Sequence, residues 1–72
     1  MQYAIVIESS PGSSNYSAYV PDLPGCITTA KTVEEVKRLM QEAIEFHIEG
    51  LREDGLPIPA PSSQVAVVEV AA

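Results

Sequence analysis

The chain has 72 residues, ten acidic and four basic, for a net charge of −6, so it holds one small acidic domain. One cysteine and one histidine exclude an internal disulfide and a Cys/His zinc site. The few basic residues (Lys31, Lys37, Arg38, Arg52) leave little to hold a phosphate backbone, which argues against direct nucleic-acid binding and favours a basic protein partner.

A domain of this length buries only about 60% of the surface that its unfolded chain exposes. With neither disulfide nor metal available, self-association is the remaining way to stabilise it. The N-terminus shows no basic region followed by an apolar stretch, and no apolar run approaches membrane-spanning length. Together with the free thiol, these features predict a cytoplasmic protein with no membrane partner.

Residues 2–8 (QYAIVIE) are dense in β-branched and aromatic side chains and predict a first strand. Tyr3, Ile5 and Ile7 share one of its faces, Ala4 and Val6 the other. The segment 9–15 (SSPGSSN) is a turn, and residues 16–20 (YSAYV) form a second strand antiparallel to the first. Pro21, Pro24 and Gly25 break the chain again before a short third strand over residues 26–30 (CITTA).

Thr32-Val33-Glu34-Glu35 matches the capping box that opens a helix, with acidic residues suited to the positive end of its dipole. Val33, Val36, Leu39, Met40, Ala43, Ile44, Phe46, Ile48 and Leu51 then form an apolar stripe centred near Met40, Ala43 and His47. Glu35, Arg38, Glu42, Glu45, Glu49 and Arg52 occupy the opposite side. Asp54-Gly55 supplies the stop, glycine being the usual left-handed cap. Residues 56–61 (LPIPAP) run extended, 62–64 form a polar link, and 65–70 (VAVVEV) predict a fourth strand.

The element order is therefore β-β-β-α-β within a single domain, 1–72. A last strand lying parallel to the first, through a right-handed crossover, gives a mixed four-stranded sheet with one helix on one face. Ala4, Val6, Tyr19 and Ile27 contribute to the second face, which no helix covers, and such a face marks an interaction surface.

The stretch Tyr16-Ser17-Ala18-Tyr19-Val20-Pro21-Asp22-Leu23-Pro24-Gly25-Cys26 resembles the HicB-like family, the antitoxins of HicA–HicB toxin–antitoxin pairs. The likeness continues through Thr32-Val33-Glu34-Glu35 and residues 42–51, and closes with residues 54–61. Ala30-Lys31 departs from it, since a glycine-containing turn is common there in the family. The resemblance implies an α+β fold similar to a truncated ribonuclease H fold. It also implies a cognate toxin, a small basic RNA-cleaving protein with a fold similar to double-stranded-RNA-binding domains. Many members append a DNA-binding segment; none follows the fourth strand here, so the expectation is a short form that does not bind its operator by itself.

Three functions are compatible with the outline: a HicB-like antitoxin neutralising a HicA-type toxin, an oligomeric interaction domain of the same fold with another partner or none, and a metal-dependent nuclease. The last needs converging carboxylates, and Glu8, Glu69 and the outward helix glutamates are not arranged to converge. The chain therefore reads as a binding protein, not an enzyme, with no cofactor or metal. It is expected to form a homo-oligomer, a dimer or tetramer. Glu42, Glu45 and Glu49 are the candidate partner-binding residues, against the plainer reading of a solvated helix face. His47 reads as a packed histidine, Cys26 as a buried small hydrophobe, and residues 57–61 as a rigid connector instead of a proline-rich ligand.

Overall fold

The computed structural model describes residues 1–9 and 11–72. Three strands, β1 (Val6–Ser9), β2 (Tyr16–Tyr19) and β3 (Ile27–Ala30), precede one helix, α1 (Val33–Glu53). The sheet is antiparallel in the order β1-β2-β3. Ile7, Ala18 and Thr28 form one cross-strand row, and Val6, Tyr19 and Ile27 form the next. Because side chains alternate between faces, the first row points toward the helix and the second away from it.

β1 is shorter than the sequence predicts. Its pairing ends at Tyr19, after which Val20 and Pro21 turn away and proline offers no amide, so residues 2–5 have no ladder partner on β2. The β2–β3 connection is two consecutive turns. Leu23 N–H donates to Val20 O at 3.1 Å, and Cys26 N–H donates to Leu23 O at 3.2 Å. In the second turn, Pro24 precedes Gly25 at φ +84°, the arrangement of a type II turn, which a side chain at Gly25 would strain. Leu23, the residue shared by both turns, is fully buried.

Thr32 caps α1 as the sequence implies: its Oγ1 accepts from Glu35 N–H at 3.1 Å. At the other end Leu56 N–H reaches Leu51 O at 2.9 Å and Gly55 N–H reaches Arg52 O at 3.1 Å. With Gly55 at φ +68°, this pair of bonds is a Schellman cap. Val36 and Met40 are buried from the helix side, against Ala18, Val20, Leu23, Cys26 and Ala30. The helix lies over β2 and β3 and hardly touches β1.

The fourth strand is corrected. Residues 56–72 have no regular secondary structure, and the sheet has three antiparallel strands instead of four in a mixed arrangement. Val67 is 95% exposed, and Val65, Val68 and Val70 are nearly as open. The radius of gyration, 14.0 Å, exceeds the ~11 Å of a compact chain of this length, as a projecting tail requires. Ser62 and Ser63 are bonded to Asp22 in the β2–β3 turn, which holds the start of the segment at that end of the body.

Candidate protein-interaction surfaces

Four surface features carry chemistry. The first is the outward face of α1. Glu42, Glu45 and Glu49, three and four residues apart, share one side of the helix and are all exposed. Arg38 pairs with Glu42 at 3.7 Å, with both side chains mostly in water, an interaction of little net value. Phe46 belongs to the apolar stripe by spacing, yet it is 80% exposed. At the 100° or so between successive helix positions it lies on the flank of the stripe. Its neighbours one turn away are Glu42 and Glu49 on one side and Ala43 and Gly50 on the other, so an aromatic ring stands bare beside two carboxylates.

The second feature is the uncovered sheet face, where Val6, Tyr19 and Ile27 line up across the strands and Ile27 is 65% exposed. The adjacent row, Glu8, Ser17 and Thr29, is polar. This face lies on the side of the sheet opposite α1. Glu42, Glu45 and Glu49 therefore cannot form its rim, and the two surfaces must serve different contacts.

The third is a groove of about 700 Å³ between the lead-in to β1 and α1, floored by Tyr3, Ile5, Met40 and Ile44, continuing to Ile48 and walled by Lys37, Arg38 and Glu45. It exists because the helix sits over β2 and β3 and leaves the inner side of β1 bare. Ile5 and Ile7 are only partly buried as a result.

The fourth is the tail tether. The Asp22 carboxylate accepts from Ser62 N–H at 3.1 Å, Ser63 N–H at 3.0 Å, Ser62 Oγ at 3.1 Å and Ser63 Oγ at 2.8 Å. These bonds favour the ionised form and hold the carboxyl below its ordinary value of 3.8, the Ser63 backbone amide acting most strongly. Tyr3 OH donates to Pro59 O and fixes the tail one step earlier. Asp22 carries no sign of this role in the sequence beyond its place between two turn prolines.

The remaining candidates are quieter. Cys26 is buried, and burial pushes its thiol up, which suits a packing role and disfavours the thiolate. His47 is half-buried on the sheet side of α1, with no hydrogen bond to its ring among the described residues. Glu8 is exposed in β1 and Glu69 in the tail. Among the described residues no cluster of three or more His, Cys, Asp or Glu is placed to hold a metal. Among the described residues no helix is long and apolar enough to cross a membrane.

Comparison with known proteins places this architecture. A protein of 14.9 kDa from the rep-hol intergenic region of Haemophilus phage HP1 is 42% identical over 59 residues, 82% of this chain and 43% of the phage protein. This chain thus spans less than half the length of that relative. A UPF0150 protein of Archaeoglobus fulgidus is 45% identical over 49 residues, 68% of this chain and 70% of its own. Another, from Thermoplasma acidophilum, is 34% identical over 68 residues, covering 94% of this chain and 97% of the relative. The family model for the HicB-like antitoxin of bacterial toxin–antitoxin systems matches residues 3–71, from the lead-in to β1 to the end of the tail. With that span, and with the tyrosine-to-cysteine stretch folded into β2 and the paired turns, the chain belongs to the HicB-like antitoxin family.

Proposed function

We propose that the chain neutralises a small, basic, RNA-cleaving toxin of the HicA type by binding it through the outward face of α1. The observation that carries this reading is Phe46, 80% exposed and flanked by exposed Glu42 and Glu49. An exposed aromatic side chain with polar residues beside it is a common anchor of a protein interface. Carboxylates of one sign around it favour a partner that must itself attract RNA phosphates. Membership of an antitoxin family supports the general role. The chain itself associates into a dimer or tetramer in this reading, since the buried core among the described residues is only seven residues.

The test is binding kinetics with the toxin encoded beside this chain, measured across a salt series. Changing Glu42, Glu45 and Glu49 to Gln together should slow association and flatten its salt dependence while dissociation stays nearly constant. Phe46→Ala should instead speed dissociation about tenfold or more, the effect of losing a buried anchor of 1.4 kcal/mol or above. Association indifferent to salt, together with a silent Phe46→Ala, would remove α1 from the interface. If the neighbouring protein fails to bind at all, the alternative holds: an oligomeric interaction domain with another partner.

A further inference from the structure

We propose that residues 65–70 are the fourth strand of a second copy of this chain, exchanged reciprocally and seated in the groove between β1 and α1. The inference deepens the self-association just proposed and is independent of the toxin. Three observations converge on it.

The first is an acceptor. β1 is an edge strand, its outer backbone groups unpaired, and beside it the groove over Tyr3, Ile5, Ile44 and Ile48 is open. A free edge next to an unfilled apolar groove is the arrangement that takes up an added strand, with main-chain bonds to the edge and alternate side chains in the groove.

The second is a donor. Residues 65–70 are outside any helix or strand, rich in valine and exposed throughout. Their alternation separates Ala66, Val68 and Val70 from Val65, Val67 and Glu69. The groove floor is apolar and its charged residues, Lys37, Arg38 and Glu45, stand at the wall, so the all-apolar face of Ala66, Val68 and Val70 enters the groove and Glu69 stays outside it. Val65 and Val67 then extend the apolar row of Val6, Tyr19 and Ile27 on the opposite face.

The third observation chooses the occupant. In the single copy the tail does not lie on its own β1: Ser62 and Ser63 are held by Asp22, and Val65, Val67, Val68 and Val70 beyond them are exposed and unpaired. Each copy thus presents both a strand without a sheet and a sheet edge without a strand. A two-fold axis satisfies both at once, and the contact closes. Charge agrees. Two bodies of net charge −6 repel, so contact is best made by a segment whose single charged residue is Glu69. A basic partner would gain little from such a segment and much from α1.

The experiment uses the purified full chain without toxin. Sedimentation at micromolar concentration should return twice the 7.7 kDa chain mass or a multiple of it. Val68→Glu with Val70→Glu, at positions exposed in the single copy, should return the chain mass with the helical circular dichroism retained. A second arm pairs Val68→Cys with Ile44→Cys, Cys26 being buried and the single variants serving as controls. Oxidation should give a covalent dimer on a non-reducing gel. A full chain of monomer mass would overturn both the exchange and the self-association. A dimer untouched by the two glutamates would overturn the exchange alone. A disulfide closed within one chain would show the tail returning to its own β1, which also overturns it.

Discussion

Asp22 does more than a turn residue needs to. It follows a proline in the β2–β3 connection, where an aspartate would be unremarkable, yet its carboxylate gathers both amides and both hydroxyls of Ser62 and Ser63. Those bonds lower its pKa in the folded state, so its contribution to holding the tail is complete above 3.8 and is lost as pH falls through the lowered value. The amide resonances of Ser62 and Ser63 should therefore titrate together with a midpoint below 3.8, and Asp22→Asn should abolish the step. A midpoint at or above 3.8 would mean that the four bonds do not persist in solution. The latch was not legible in the sequence, because it joins residues forty positions apart and neither end has a local pattern that requires the other. Phe46 escaped for a different reason. It lies at the margin of the apolar stripe, and only the actual seat of α1, over β2 and β3, decides which margin is covered.

At the scale of elements the sequence was most informative where the signal is local. Thr32 and Gly55 bound the helix because each supplies something only a few residue types can: an oxygen for the amide of Glu35, and a backbone at φ +68°. Thr32→Ala should cost about 1 kcal/mol of unfolding free energy. Gly55→Ala should cost about 1–2 kcal/mol, from the clash between a Cβ and its carbonyl in the left-handed region. The sites are at opposite ends of a 21-residue helix, so urea melts of the double variant should show nearly additive losses. An unchanged midpoint for Gly55→Ala would contradict the Schellman cap. The strands β1 to β3 were legible because alternation and Pro/Gly punctuation mark both their faces and their ends. The segment 65–70 has the same valine-rich composition and is nonetheless unpaired. Strand propensity measures how well side chains fit a pleated surface, whereas pairing needs a free edge within reach, and that depends on the fold. The candidate glutamates fared in between. Their exposure was readable from the wheel, but the separation of Glu42, Glu45 and Glu49 from the bare sheet face followed only from knowing which side of the sheet the helix covers.

The whole molecule is a small body with two unlike outer surfaces, acidic on the helix and partly apolar on the sheet, and a tail that leaves it. If the proposed contacts hold, salt should act mainly on partner encounter through Glu42 and Glu49 of α1, while changes at Val68 and Val70 act on assembly; Glu45, which also lines the groove, belongs to both. The tail has a further consequence for how long the chain survives. An exposed backbone outside any helix or sheet is the form that enters a protease cleft most readily, and the valines from 65 onward meet that description in the single copy. Pairing in trans would hide the same bonds. The lifetime of each molecule then depends on how many others surround it: dilution exposes the cleavable form and crowding of like copies protects it. Limited proteolysis across a dilution series should therefore show first cuts after Gln64 whose rate per molecule rises as the chain is diluted, and a rate independent of concentration would break this link between abundance and persistence.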